Sequence, residues 1–302
     1  MTYRNTTLRV LDLDSIHMYP LIGDTDSSAL MMGRVLILTP LVSAASYLDK
    51  YFENLSKLNY PKELLSLGFL VSTTPKGPPD PTLLALKSHI EPVISTYRRI
   101  TIIQQSSEPH NYTREGRHAY EAQESRRKIL ARCRNALLST ALFDESWVLW
   151  LDVDVVEYPP NTLIHLMRLD KDIIAPNCFR TETGWLSSSR IPYDRNNWSE
   201  TKESLASQRV LDEDNVLFEG YGRDHPTYRQ SMADMDQNSH QVVPLDGVGG
   251  TFTLIKAMVH RAGVNFPVEP IDHEIETEGL AKSAKRQGFG VYGAPYLIVR
   301  HA

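Results

Sequence analysis

Short apolar runs alternate with amphipathic stretches along most of the first half of the chain. Val35-Leu-Ile-Leu38, stopped by Thr39-Pro40, predicts a buried strand. Residues 46–58 then place Tyr47, Tyr51, Leu55 and Leu58 four and three apart, which predicts an amphipathic helix ended at Asn59-Tyr60-Pro61. The unit repeats: a strand at 67–71, the breaker Pro75-Lys-Gly-Pro-Pro79, a helix over 81–96, a strand at 100–103, a long helix near 117–141, and the strand Trp147-Val-Leu-Trp-Leu151. Strands that are apolar throughout and alternate with helices predict an α/β fold, a mainly parallel open sheet covered by helices on both faces. The second half is less regular. It offers an apolar run at 173–176, a polar loop over 180–215, a Gly-rich segment at 246–250, a helix near 276–287 and a last apolar run at 296–299. No linker-like stretch divides two cores, so residues 1–33 read as a lead-in and 34–302 as one domain.

Composition narrows this picture. The 302 residues carry a formal net charge of −5, which argues against a nucleic-acid partner. Cys133 and Cys178 are too few for a disulfide scaffold or a Cys-rich zinc site. No apolar run approaches the ~18 residues of a membrane span, and polar Arg4, Asn5, Thr6 and Thr7 stand where a secretory signal has its apolar core. Taken alone, these absences read as a cytosolic chain. The N-x-[ST] triplets at Asn5, Asn54, Asn111 and Asn197 are compatible with a secretory lumen. Gly288-Phe-Gly290-Val-Tyr-Gly293 has the dinucleotide spacing but no helix after it, His273-Glu274 lacks the second histidine of a zincin, and neither a P-loop nor a nucleophile elbow is present.

Asp-x-Asp starts at Asp12, Asp24, Asp152, Asp170, Asp212 and Asp234, against about one occurrence expected by chance, so position has to decide. Five of these lie in polar surroundings and read as solvated acids. Asp152-Val-Asp154 instead follows an apolar strand directly, and ligands of open α/β sheets bind beyond the carboxyl ends of strands. Two carboxylates at a buried edge need positive charge. A hard divalent cation bridging the phosphates of a nucleotide supplies it; arginines, or the start of the next helix near Pro159-Pro160, are the other ways. On the long helix, Ile129, Leu130, Cys133, Ala136, Leu137 and Thr140 share one face, while Lys128, Arg132 and Glu124 read as a salt-bridged solvent face. Arg127 and Arg134, seven positions apart, share the border of the apolar face roughly 10 Å from each other, where they can reach into a cleft and meet a diphosphate or sugar.

Ser146 through Asp154, with Val35-Leu-Ile-Leu-Thr-Pro40 upstream, resembles the fungal Golgi mannan polymerase subunits, glycosyltransferase family 62. The resemblance extends over residues 34–302 through Arg117-His118, Glu121, Gln123, Arg126–Lys128, Ala131–Asn135, Pro192-Tyr193-Asp194, Asn196-Asn197-Trp198, Glu219-Gly220-Tyr221, Leu245–Gly250, His273, Ile275–Gly279 and His301. It implies a GT-A nucleotide-sugar transferase fold, a GDP-mannose donor, Mn2+, and retaining α-1,6-mannosyl transfer onto N-glycan outer chains in the Golgi lumen. It also implies type II membrane proteins that assemble with one another, this chain lacking the anchor. Residue by residue, it implies Asp152, Asp154 and His301 at the metal, with Asp152 also near the ribose. Thr39 and Pro40 would border the guanosine pocket, and Arg134, with Arg127 behind it, would steady the diphosphate. Asp246, His273, Glu276 and Glu278 would stand near the donor mannose or the acceptor hydroxyl, with no nucleophile named and a front-face process expected. Plainer readings stay open: a solvent-exposed terminal histidine, a turn aspartate, and acids favouring a helix dipole at Glu276 and Glu278. A Mg-dependent nucleotidyltransferase or phosphohydrolase and a non-catalytic scaffold subunit are the rival functions.

Overall fold

The computed structural model describes residues 33–73, 81–106, 119–181, 191–222 and 224–302. The lead-in up to residue 32, the triplets at Asn5 and Asn111, and Arg117-His118 lie outside the described residues. Gly33–Ala302 forms one compact unit.

The first half follows its periodicity. Strand β1 (Val35–Leu41) pairs in parallel with β2 (Leu65–Thr73) and with β4 (Trp147–Leu151), and β2 pairs in parallel with β3 (Arg99–Ser106). Helices α1 (Leu48–Lys57), α2 (Thr82–Ile90) and α3 (Tyr120–Ala141) alternate with them. The stretch expected as one helix to residue 96 ends at Ile90 and continues as a 3-10 turn, Glu91–Val93, where Pro92 supplies no N–H. Strands buried on both faces separate two apolar layers. Val35, Ile37 and Leu41 of β1 pack with α1, α2 and α4 (Thr162–Arg168); Leu36 and Leu38 pack on the other side with α3, α6 (Ala257–Arg261) and α7 (Glu276–Arg286). The α/β class with helices on both faces is therefore what the chain adopts.

The second half makes the sheet mixed. Strand β10 (Phe252–Lys256) runs antiparallel between β4 and β6 (Ile173–Arg180), and β11 (Val291–His301) runs parallel to β6. Two antiparallel steps restore the original direction, so β4, β6 and β11 all end at the same edge of the sheet. The order is β3-β2-β1-β4-β10-β6-β11-β5, where β5 (Val155–Glu157) lies antiparallel to the end of β11 and pairs His301 with Val155. A register shift in β11 between Ala294 and Ile298, held by Asn177 Nδ2 donating to the Pro295 carbonyl (2.8 Å), sets where that strand ends. The expected loop over 180–215 holds β7 (Trp198–Ser199) and α5 (Lys202–Gln208), whose start is a Thr201/Ser204 capping box. Gly288, at φ +85°, closes α7 ahead of β11, so the glycine spacing there joins helix to strand, the reverse of a dinucleotide site.

Candidate active site

Because β4 and β11 end at one edge, Asp152 and Asp154 face His301 across 147 residues of sequence. His301 Nε2 lies 3.0 Å from Asp154 Oδ2, and its Nδ1 faces the Ala302 carbonyl at 2.9 Å. The Tyr193 ring stacks on the imidazole, with centroids 3.4 Å apart and planes 14° from parallel. Burial by itself would lower the His301 pKa, but the Asp154 carboxylate raises it above the usual histidine value. Asp152 keeps 30% of its side chain in solvent. Burial of the rest pushes its carboxyl up to about 7, with the Asp154 and Asp194 charges adding to the rise and Arg134 and His301 opposing it.

The donor set of Asp154 and His301 suits a cation. Two donors about 2.1 Å from one six-coordinate ion, at right angles to each other, lie about 3 Å apart, which is the separation of Asp154 Oδ2 and His301 Nε2. Among the described residues no three His, Cys, Asp or Glu side chains gather closely enough to cage an ion. A cation held by Asp154 and His301 would therefore need further ligands, as Mg-type sites completed by substrate phosphates have.

Arg134 reaches this edge from α3. Its Nε donates to Glu276 Oε1 (2.7 Å) and its Nη2 lies 3.5 Å from Asp152 Oδ1, while the guanidinium lies 5.1 Å from the Trp150 ring centre and 5.6 Å from that of Phe266. Arg134 Nη1 is buried without a protein partner among the described residues. Gly250 makes the approach possible, since a Cβ there would fall 2.8 Å from Arg134 Cζ. Glu276 adopts the left-handed backbone region (φ +55°), as do Asp272 and His273 before it, so the turn into α7 holds three non-glycine residues in a disfavoured conformation.

Arg127 does not share the opening with Arg134. It is buried against Glu278, donates to Asn196 Oδ1 (3.3 Å) and covers the Phe218 ring. Glu278 also accepts from Trp198 Nε1 (2.8 Å); burial raises its pKa, against the pull of Arg127 and Arg229. The seven-residue spacing of the arginines thus meets Glu276 and Glu278 of α7 rather than empty cleft. Lys128 pairs with Glu124 (3.0 Å) on the solvent face.

The remaining expected residues are spread out. Thr39 and Pro40 belong to β1 itself; Thr39 is fully buried and its hydroxyl bonds Tyr51 OH (2.7 Å). Asp246 accepts from the Glu200 backbone N–H (2.7 Å) and pairs with Lys285, tying a loop to α7. His273 faces the Asn215 carbonyl through Nδ1 (3.0 Å). Asn54 and Asn197 are buried, with Asn54 Nδ2 donating to Val156 O and Asn197 Oδ1 accepting from Gly249 N–H, which removes both triplets as surface acceptors.

Several residues here had no role assigned from sequence. Asp194 accepts from Asn196 N–H (3.1 Å) and burial raises its pKa; it fits only because Gly249 has no side chain, as a Cβ there would overlap its carboxylate. Arg229, with a fully buried side chain, pairs with Glu274, Glu219 (3.0 Å) and Glu200 (3.5 Å) and lies 3.7 Å from the Trp198 ring centre. Glycines at 247, 249 and 250 were the one local signal that side chains crowd this loop.

A family model described as Anp1 matches residues 15–270. The Mannan polymerase II complex anp1 subunit of Schizosaccharomyces pombe is 41% identical over 89% of this chain and 64% of its own length. The Mannan polymerase complex subunit mnn9 of the same yeast is 40% identical over 95% of this chain and 86% of its own length. Among solved structures, a mannosyltransferase of Pyrobaculum calidifontis in complex with GDP-Man and Mn2+ matches 89% of this chain and 57% of its own, at 13% identity and a TM-score of 0.49. The chain spans somewhat under two thirds of the anp1 subunit, and over most of its length it belongs to the Anp1 family.

Proposed function

We propose that the chain is a metal-dependent glycosyltransferase of GT-A type that moves mannose from GDP-mannose onto an α-mannoside acceptor, building α-1,6-mannan on N-glycans as one subunit of a Golgi mannan polymerase complex. One observation carries the enzymatic part. The Asp154–His301 pair (3.0 Å) and Arg134, 3.5 Å from Asp152, bring two carboxylates, an imidazole and a guanidinium together at the strand ends. The mannose and mannan parts rest on the relatives' names and on the sequence resemblance.

Asp154 and His301 would hold a divalent cation, which would supply neutralisation of the charge that builds on the departing diphosphate. Arg134, fixed in direction by Glu276 and by the Trp150 and Phe266 rings, supplies positive charge beside a bound diphosphate. Trp198 and Glu278 brace Arg127 behind it, and the Asp246–Lys285 pair holds the glycine loop against α7.

A second reading, a non-catalytic subunit that supports a partner enzyme, draws on the same ion pairs: Arg127, Lys285 and most of Arg134 already have carboxylate partners within the chain. Incubating the purified chain with GDP-mannose, Mn2+ and an α-linked mannobiose separates the readings. GDP formation that requires both metal and acceptor supports transfer. Cleavage of the phosphoanhydride, read as mannose 1-phosphate in place of GDP, points to the nucleotidyltransferase or phosphohydrolase chemistry, and no product at all leaves the supporting subunit.

A further inference from the structure

A histidine at the end of a strand has two ways to turn its ring, and a half-turn about its terminal torsion puts Cδ2 in the place of Nδ1 and Cε1 in the place of Nε2. For His301 the difference is chemical, because only one nitrogen faces Asp154. Two contacts are polar: Nδ1 faces the Ala302 backbone oxygen at 2.9 Å and Nε2 faces Asp154 Oδ2 at 3.0 Å, so each ring nitrogen has its own acceptor. The third is the face-to-face stack with Tyr193, 3.4 Å between centroids and 14° between planes.

Tyr193 is itself held by backbone. Its N–H donates to the Cys178 carbonyl (2.9 Å), the Arg180 N–H donates to the Ile191 carbonyl (2.9 Å), and Phe179 bridges to Pro192, so residues 191–193 run along the end of β6. β6 is the strand on which β11 lies, with Val299 opposite Cys178 and His301 opposite Arg180. The segment carrying Tyr193 and the strand carrying His301 are therefore fastened to the same three residues, and the two rings have one relative placement.

We propose that Tyr193 is a positioning residue: its ring fixes the plane of the His301 imidazole so that Nε2 stays toward Asp154, and a divalent cation binds the pair in consequence. The proposal rests on the reading that Asp154 and His301 hold a cation. The ring face does this work, and the phenol hydroxyl has no part in it. Groups that orient a metal-binding histidine typically change metal affinity 10–100-fold when removed.

The test is binding of Mn2+ alone to metal-free protein, followed by the loss of the free-ion signal in electron paramagnetic resonance, with no nucleotide present. Tyr193→Phe keeps the ring and should bind within about twofold of the parent. Tyr193→Leu and Tyr193→Gln remove it and should bind at least about tenfold more weakly, with melting curves showing the fold intact. Parent-like binding by a folded Leu or Gln variant overturns the proposal, as does a tenfold loss in Tyr193→Phe. His301→Ala and Asp154→Ala run alongside: parent-like binding in both means that the cation reading itself has failed, an outcome distinct from failure of the Tyr193 role alone.

Discussion

The Arg127–Glu278 pair separates a structural from a catalytic role for an α7 carboxylate. Their side chains are 8% and 0% exposed, so the modest figure for surface ion pairs does not apply; removing one partner of a buried pair costs about 3–5 kcal/mol because the other charge stays uncompensated. Glu278→Gln keeps an acceptor for Trp198 Nε1 and deletes only the charge, which places the expected cost near 3 kcal/mol, or a fall in Tm of roughly 5 °C. Arg127→Met strands the carboxylate instead. Glu278 already has a raised pKa, and without Arg127 it rises further, so the cost of Arg127→Met should shrink as pH falls and the group takes up a proton. The double variant removes both charges and should return to within about 1 kcal/mol of the parent, a coupling of about 2 kcal/mol or more in a denaturant-melt cycle. GDP formation measured on the same four proteins gives the second readout. A double variant that regains both stability and activity identifies Glu278 as a counter-ion of Arg127; regained stability with activity still lost identifies a direct role at the sugar. A Glu278→Gln variant as stable as the parent would refute the reasoning.

Asp154→Ala should lower kcat/KM for Mn2+-dependent GDP formation by at least ~10²-fold, about 2.7 kcal/mol; near-parent activity would remove Asp154 from the site. Gly250→Ala drives a methyl to 2.8 Å from Arg134 Cζ and 3.0 Å from Thr277 Cγ2, so it should cost about 1–3 kcal/mol of stability and raise KM for GDP-mannose roughly tenfold, and an unchanged KM would show that Arg134 does not touch the donor. Burial holds the His260 ring neutral against Trp150 and the Val264 carbonyl and lowers its pKa to about 4. The unfolded chain, with an ordinary value of about 6.5, binds a proton across that window that the native ring refuses. The native state should therefore lose up to roughly 3 kcal/mol as pH falls from about 6.5 to about 4, and denaturant midpoints of His260→Gln should lack that part of the slope.

Local pattern determined much of this protein. The parallel strands of the first half, their helices on both sides and the position of Asp152 and Asp154 just past β4 were legible, because a strand buried on both faces must be apolar throughout and whatever polar pair follows it must stand at the sheet's edge. The family resemblance added His301, which periodicity alone would leave as a terminal residue in solvent. The partners of these groups were decided only by the tertiary structure. Arg134 and Arg127 find carboxylates 142 and 151 residues away, and His301 meets Asp154 because one antiparallel strand, β10, returns β6 and β11 to the direction of β4 and a register shift sets the end of β11. The triplets at Asn54 and Asn197 look like surface acceptors until the fold buries both. Hydrophobic periodicity is a property of neighbouring residues and is written along the chain. Which charge satisfies which, and which ring lies against His301, depends on how distant strands close on one another, and no window of sequence contains both sides of such a contact.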